Sequence, residues 1–161
     1  MIVVCDASSL VALATCHCLD LLVKIYEEVY ITQEVFAEVT VRNKPYATEL
    51  KEFFSDKICS ISLSDTLANY QKLNLPLDMG EMTAMALYQE LEADYLLIDE
   101  KLGRRIATEM GIEIIGSLGV LALGKRFGYI ENIRPFTDIL IQSPIFISPQ
   151  LIEMLLTQMD E

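Results

Sequence analysis

The sequence lacks the features that mark a multidomain or membrane-spanning protein. Its five prolines and seven glycines are scattered, and no Pro/Gly/Ser-rich tract separates the segments that have a regular apolar pattern. There is no internal repeat, and the apolar runs fall far short of the ~18 residues that a membrane span needs. With 161 residues, 52% of them apolar, the chain can bury a large core. We therefore expect a single domain over residues 1–161, with no membrane segment.

Histidine is almost absent, which limits the metal and nucleophilic chemistry available to the chain. The one histidine, His17, lies between Cys16 and Cys18, but no second ligand pair stands at the spacing of a zinc site. Four cysteines in a sequence without the features of a secretory signal favour buried thiols over disulfides. We expect a reducing, cytoplasmic environment.

Several common catalytic motifs are missing as well. The sequence contains no Gly-x-x-x-x-Gly-Lys-Ser/Thr loop, no Gly-x-Gly-x-x-Gly and no Gly-x-Ser-x-Gly. Basic residues are scarce, since 12 Lys and Arg stand against 24 Asp and Glu and the net charge is −12. Such a chain has no broad basic surface for binding phosphates, so a nucleic-acid substrate would need the help of a metal ion. The same acidity suits a basic protein partner.

Strand-like and helix-like segments alternate along the chain. Five β-rich runs are found at residues 2–5, 29–32, 58–62, 95–98 and 112–115. Amphipathic stretches separate them, a rhythm typical of an α/β fold in which helices wrap a parallel sheet. Thr15 is a suitable N-cap for a helix whose inner stripe contains Leu19, Leu22 and Tyr26. Further helices are predicted over residues 33–41, 46–54, 65–72, 80–92 and 117–128, with two more after residue 131.

Two aspartates directly follow predicted strands. Asp6 follows the first strand, and Asp99 follows the fourth strand and precedes a helix. The carboxyl ends of parallel strands meet at one edge of a sheet, where open α/β folds bind their ligands. Two carboxylates brought together there repel each other unless a cation or a shared proton compensates. Each aspartate is alternatively a helix N-cap, a position that favours Asp.

Two glutamates are expected near the same edge. Glu81 opens the helix that leads into the fourth strand, and with Asp78 it also forms the pattern of a capping box. Glu38 lies one helical turn beyond Glu34, so one of these two can face the site while the other faces solvent. Four such carboxylates are typical ligands for Mg²⁺ or Mn²⁺. A site of this kind supports phosphodiester hydrolysis, although it would equally serve a phosphatase acting on a small phosphate ester.

Five short motifs are spread in order along nearly the whole chain. They are Val4-Cys5-Asp6-Ala7-Ser8-Ser9, Val35-Phe36-Ala37-Glu38-Val39, Gly80-Glu81-Met82-Thr83-Ala84, Leu97-Ile98-Asp99-Glu100 with Arg104-Arg105-Ile106-Ala107, and Ile115-Gly116-Ser117-Leu118-Gly119. Together they resemble the motifs of PIN-domain nucleases, the fold of VapC-type toxins, and more closely those of a prokaryotic PIN-like branch of that family. The resemblance implies a three-layer α/β/α fold with a central parallel sheet of about five strands. Glu100 stands where this branch often has a second Asp.

The resemblance also implies a function. The residues that match the acidic metal-binding positions of the family are Asp6, Glu38, Glu81 and Asp99. Ser8 would place a hydroxyl near the metal or phosphate, and Arg104 and Arg105 would contact a substrate phosphate or pair with acidic neighbours. The implied protein is a Mg²⁺- or Mn²⁺-dependent endoribonuclease, the toxin of a toxin–antitoxin pair, which acts as a homodimer and is blocked by a small antitoxin. The alternative is a PIN-like protein-binding module without useful catalysis.

Overall fold

The computed structural model describes residues 1–161 and has a five-stranded sheet at its centre. The strands are β1 (Ile2–Cys5), β2 (Glu28–Thr32), β3 (Ile58–Cys59), β4 (Tyr95–Leu97) and β5 (Ile114–Ile115). They are all parallel and lie in the order β3-β2-β1-β4-β5. Helices flank this sheet, which confirms the predicted three-layer α/β/α fold with a parallel sheet of five strands.

Ten helices connect and follow the strands. They are α1 (Ala7–Thr15), α2 (Asp20–Ile25), α3 (Gln33–Val39), α4 (Ala47–Phe53), α5 (Asp65–Lys72), α6 (Met79–Glu90), α7 (Lys101–Glu109), α8 (Ser117–Arg126), α9 (Arg134–Gln142) and α10 (Pro149–Gln158). Local start signals explain several of their bounds. Thr32 accepts a hydrogen bond from the Val35 amide at the start of α3, and Ser64 accepts one from the Leu67 amide at the start of α5.

The predicted role of Thr15 as a helix N-cap is wrong. Thr15 is the last residue of α1, and its hydroxyl donates to the Val11 carbonyl at 2.7 Å. The helix that contains Leu22 is α2, which begins later, at Asp20, and Asp6 at the end of β1 is the N-cap of the preceding helix α1. Cys16, His17 and Cys18 form the connection to α2, in which His17 has a left-handed backbone with φ 57°.

The hydrophobic core lies on the two central strands. Val3 and Val4 on β1 and Leu96 and Leu97 on β4 are completely inaccessible to solvent. The register pairs Val4 with Leu96, so these strands support each other along their whole length. A parallel sheet buried on both faces needs such continuous apolar strands, which is why the two runs could be recognised in the sequence.

The connection order of the strands creates a crevice between β1 and β4. From β1 the chain goes to β2 and β3 on one side, and it then returns to β4 and β5 on the other side. The loops at the carboxyl ends of β1 and β4 therefore diverge. Asp6 follows β1 at this point, and Asp99 and Glu100 follow β4. The fold thus brings acidic residues to the position where open parallel sheets bind their ligands.

The C-terminal helix α10 packs onto α8 and α9, and α9 also packs onto α1. The Glu161 carboxylate receives hydrogen bonds from Lys125 Nζ on α8 and from the backbone amides of Ile133 and Arg134. In α10, Ile152 and Leu156 are buried, whereas Leu151 and Met154 are exposed. None of the ten helices combines the length and apolar character that a membrane-crossing segment requires.

Candidate active site

Asp6 is held in a fixed orientation at the end of β1. Its side chain is only 3% exposed, and its backbone amide donates to the Leu97 carbonyl of β4 at 2.8 Å. Oδ2 accepts hydrogen bonds from the Ser8 hydroxyl at 2.9 Å and, more weakly, from the Ser8 amide at 3.4 Å. Asp6 is therefore a helix cap and a buried carboxylate at the sheet edge at the same time.

Ser8 connects the ends of the two central strands. While its hydroxyl donates to Asp6, the same oxygen accepts the Asp99 amide at 3.1 Å. The Asp99 amide thereby directs the hydroxyl proton toward the Asp6 carboxylate. Ser8 thus fixes one acidic group and also lines the cavity into which that group faces.

Glu81 stands at the first turn of α6 in a complete capping box. Its amide donates to Asp78 Oδ1 at 2.8 Å, and its Oε2 accepts the Asp78 amide at 3.0 Å. The capping interpretation is therefore correct, but it uses only one of the two Glu81 oxygens. A Cβ atom added to Gly103 on α7 would lie 2.8 Å from Oε1, so the second oxygen faces α7.

Glu38 approaches the same region from α3. A Cβ atom on Gly80 would lie 3.0 Å from Glu38 Oε2 and 3.3 Å from Asp78 Oδ1, so the absence of a side chain at Gly80 leaves room for both carboxylates. A buried hydrogen bond of 2.9 Å between the Thr32 and Thr83 hydroxyls ties the end of β2 to α6 nearby. Of the two candidates on α3, Glu38 lines the cavity and Glu34 does not.

These side chains line a cavity of about 360 Å³ at the carboxyl edge of the sheet. We call it the acidic cavity. Its five carboxylates come from the ends of strands and the first or last turns of helices, and they are Asp6, Glu38, Asp78, Glu81 and Glu100. Lys44 is the only cation in the lining, and Ile145 contributes from the connection between α9 and α10. The cavity is thus strongly negative in the absence of a bound cation.

The crowding of carboxylates is reflected in their proton affinities. Burial raises the pKa of Asp6, of Glu38 and of Glu81, and repulsion from Asp78 adds to the increase in each case. For Glu81 the pKa rises to about 7. Glu100 shifts in the opposite direction, because hydrogen bonds from the Gly103 amide and from other backbone amides at the start of α7 lower its pKa. Of these two neighbouring carboxyls, Glu81 therefore has the higher pKa.

The Asp99 carboxylate does not face the acidic cavity. Its Oδ1 accepts the Ser117 amide at the start of α8 at 2.9 Å, and a Cβ atom on Gly116 would lie only 2.6 Å from the same oxygen. Its Oδ2 is buried and has no hydrogen-bond partner. The structure therefore brings together Asp6, Glu38 and Glu81 of the four predicted residues, but not Asp99.

Asp78 and Glu100 were not among the site residues proposed from the sequence. Asp78 had been considered only as the cap of α6, and it is that cap, yet its carboxylate also lines the cavity. Glu100 caps α7 by accepting the Gly103 amide at 2.6 Å, which directs its carboxylate toward Glu81. Glutamate is not among the residues favoured as N-caps, so the residue type at position 100 did not signal this cap.

The two predicted substrate-binding arginines occupy different surroundings. Arg104 is partly buried, and its Nη1 donates to the Ile98 carbonyl at 2.7 Å, so it supports the end of β4. Arg105 is exposed and lies 3.9 Å from the Glu109 carboxylate one helical turn away. Such an exposed pair is weak and leaves the guanidinium accessible.

The comparison with protein families agrees with this geometry. A family model described as a PIN domain matches residues 2–161. The chain belongs to the PIN-domain family. PIN domains are generally nucleases, and they generally use divalent metal ions. Searches among curated proteins and among solved structures gave no match.

The donor set of this PIN domain fits a hard divalent cation by chemistry. All candidate ligands are carboxylates, which Mg²⁺ and Mn²⁺ prefer, and Ser8 adds a hydroxyl. No group of three His, Cys, Asp or Glu side chains lies close enough together to bind a single metal ion. Mutual repulsion keeps uncompensated carboxylates apart, and Mg²⁺ commonly uses only one or two carboxylates together with waters and substrate phosphates. The PIN domain thus has suitable ligands, but they do not form a complete coordination shell by themselves.

Proposed function

We propose that this PIN domain is a metal-dependent endoribonuclease that hydrolyses RNA phosphodiester bonds in the acidic cavity. The observation that carries the proposal is the grouping of five carboxylates at the strand switch point of a chain that belongs to the PIN-domain family. A negative cavity repels an anionic polymer unless a cation is present. Activity should therefore depend strictly on a divalent metal.

Asp6, Glu38 and Glu81 are the proposed ligands for Mg²⁺ or Mn²⁺, with Glu100 as the fourth acidic group. When bound, the metal supplies an activated water and neutralises the phosphate oxygens. Ser8 orients Asp6 through its short hydrogen bond and presents a hydroxyl to the cavity. Asp99, which the sequence suggested as a ligand, is better supported as a residue that positions Ser8 and the start of α8.

The biological role proposed from the VapC-type resemblance is that of the toxin in a toxin–antitoxin pair. The net charge of −12 suits a small antitoxin with a basic segment that blocks the cavity. Among the arginines, Arg105 is the better candidate for a substrate phosphate, because Arg104 is engaged with a backbone carbonyl. The other candidate function, a PIN-like binding module, predicts RNA or protein binding without metal-dependent cleavage.

Asp6→Asn tests the proposed centre. The substitution preserves side-chain size and an oxygen that can accept from Ser8, but it removes the charge that a cation needs. Cleavage of a mixed RNA pool in Mg²⁺ or Mn²⁺ should fall at least ~100-fold, while the metal-free protein stays folded or melts at a higher temperature. An unchanged rate would contradict the site, and wild-type protein that cleaves no RNA under any metal would favour the binding module. p-Nitrophenyl phosphate as a second substrate tests for a phosphatase.

A second pair of variants tests which of the neighbouring residues Asp99 and Glu100 contributes its charge to the reaction. Asn at position 99 can still accept the Ser117 amide, whereas Gln at position 100 removes a charge from the cavity. We expect Glu100→Gln to reduce cleavage more than Asp99→Asn, measured as kcat at saturating metal. A larger loss in Asp99→Asn would instead support the assignment based on the sequence motif.

A further inference from the structure

A second depression adjoins the acidic cavity. It has a volume of about 720 Å³ and is formed by the connection between α3 and α4 together with the start of α4. Its charged lining residues are Arg42, Lys44, Lys51 and Glu49, and we call it the cationic groove. Lys44 lines both the groove and the acidic cavity, so the two are adjacent.

The cations of the groove form no salt bridges within the protein. The salt bridges of the chain involve the N-terminus, Lys24, Lys57, Arg105 and Lys125, and none involves Arg42, Lys44 or Lys51. All three groove cations are exposed, and they outnumber the single carboxylate, Glu49, by two. In a chain with a net charge of −12, this is a local positive region beside the acidic cavity.

The groove is held in place by backbone contacts. The Lys44 amide donates to the Val41 carbonyl at 3.0 Å, and the Ala47 amide donates to the Lys44 carbonyl at 3.3 Å. Asn43 and Tyr46 adopt left-handed backbones with φ 72° and 63°. The Tyr46 ring also packs edge-on against His17, with ring centroids 6.3 Å apart. The cations are therefore presented by an ordered turn rather than by a free loop.

We propose that the cationic groove holds the phosphate backbone of a single-stranded RNA on one side of the bond that is cleaved. The inference rests on the proposed ribonuclease function and names the path of its substrate. Lys44 lies where the strand would pass from the groove into the acidic cavity, and Arg42 and Lys51 contact phosphates farther out. Asn43 and Thr48, which also line the groove, offer hydrogen-bond donors to phosphate or ribose oxygens.

A single strand fits the groove better than a duplex or an acidic peptide. The groove is formed by one turn and the start of one short helix, whereas double-stranded-RNA-binding domains contact two successive minor grooves. The half-buried Tyr46 exposes part of an aromatic ring in the groove lining, and such rings stack on the bases of single strands. A groove of cations with an aromatic side chain is typical of single-strand binding.

The test uses the double variant Arg42→Gln/Lys51→Gln, which leaves the acidic cavity unchanged. Lys24→Gln is the control, because it removes an exposed cation on α2 that lines neither the groove nor the acidic cavity. Binding of a fluorescein-labelled single-stranded RNA is measured in Ca²⁺ over a range of salt concentrations, with the RNA checked to be intact. The log–log salt slope per phosphate contact is about 0.7 for single strands, so each contact contributes about a factor of five at 0.1 M salt. The double variant should therefore bind roughly 25-fold more weakly, with a slope lower by about 1.4.

Several outcomes separate this inference from the proposed function. Absence of RNA binding by the wild type, or an unchanged affinity and salt slope in the double variant, would overturn the groove as the RNA path. If the double variant loses binding to a poly-glutamate peptide but binds RNA as the wild type does, the groove is a site for an acidic protein segment and the proposed RNA path is overturned. If the double variant weakens RNA binding as expected but no metal supports cleavage by the wild type, the groove is an RNA-binding site, whereas the proposed ribonuclease function and the groove's place beside a cleaved bond both fail. Equal thermal unfolding of all variants provides the control for folding.

Discussion

Glu81 combines a structural and a chemical task in a single side chain. One oxygen caps α6 through the Asp78 amide, and the other faces Gly103 and Glu100 across the acidic cavity. Burial and repulsion from neighbouring carboxylates raise its pKa to about 7, so the uncharged form predominates below that pH without a metal. A bound cation would favour the ionised form, which couples metal binding to proton release.

The raised pKa of Glu81 predicts how the stability of the metal-free protein depends on pH. Since its pKa is about 7 in the folded state and 4.5 ordinarily, the native state binds more protons than the unfolded state between these values. The free energy of unfolding should therefore fall as pH rises through this window, by an amount on the order of 3 kcal/mol from this group. Glu81→Gln should remove the contribution of this group to the pH dependence, while its side-chain oxygen can still accept the Asp78 amide at the start of α6.

Urea unfolding at pH 4.5 and 7.5 in EDTA measures the effect. Glu90→Gln, an exposed substitution at the end of the same helix, is the matched control and should follow the wild type. The raised pKa values of Asp6 and Glu38 contribute to the same trend, so Glu81→Gln should flatten the profile without abolishing it. A profile identical to that of the wild type would contradict the assignment of Glu81 as the group held protonated.

Helix starts position most of the acidic side chains. The first turns of α6 and α7 contain glycines, Gly80 and Gly103, at the points of closest approach to the carboxylates. Glycine normally weakens a helix relative to alanine by about 1 kcal/mol. Here both glycines have a packing reason, since a methyl group would intrude on Glu38 in one case and on Glu81 in the other.

Gly103→Ala should reduce cleavage out of proportion to its effect on stability. The new Cβ atom would lie 2.8 Å from Glu81 Oε1 and 2.7 Å from Ile98 Cδ1, so it must displace the carboxylate. A displacement of this kind should lower kcat roughly tenfold or more. Gly119→Ala on α8 is the matched control, because its Cβ would lie 2.7 Å from Ile115 Cγ1 but near no carboxylate.

Measuring both thermal unfolding and kcat on the two glycine variants separates an effect on packing from an effect on catalysis. Both variants should change the melting temperature through the displaced isoleucine, but only Gly103→Ala should lose cleavage per folded molecule. Equal kcat values for the two variants would mean that the position of Glu81 is not critical for the reaction.

At the scale of the whole molecule, apolar side chains remain exposed on the C-terminal helices. On α10, Leu151 is 51% exposed and Met154 is 60% exposed, although Ile152 and Leu156 are buried against the rest of the chain. The helix therefore has more apolar surface than its own core uses. Exposed apolar surface of this kind is typical of contacts between protein chains.

We predict that the protein forms a homodimer and that α10 contributes to its interface, as the family resemblance also implies. Leu151→Gln/Met154→Gln should shift the sedimentation coefficient toward that of a monomer, because burial of each such side chain contributes about 1.5–3 kcal/mol. Leu63→Gln is the control, since Leu63 is 98% exposed and lies between β3 and α5. A wild-type protein that sediments as a monomer at micromolar concentration would contradict the prediction.

The sequence by itself determined the elements and their layering. Apolar runs such as Val3-Val4 and Leu96-Leu97 identified the central strands, because a parallel sheet covered on both faces needs continuous apolar segments. Caps were readable where donor and acceptor are three residues apart, as for Asp78 and Glu81. Helix α1 was not among the predicted helices, although Asp6 was recognised as an alternative N-cap, because β1 passes into α1 at Asp6 with no loop to mark the boundary.

Only the tertiary structure decided which acidic side chains meet. Asp99 and Glu100 are adjacent in sequence, yet Asp99 accepts the Ser117 amide, 18 residues away, while Glu100 accepts a local amide and faces the cavity. Likewise, Lys44 reaches the acidic cavity because of the turn that follows α3. The direction of a side chain at a strand end depends on partners contributed by distant segments, and local spacing does not encode those partners.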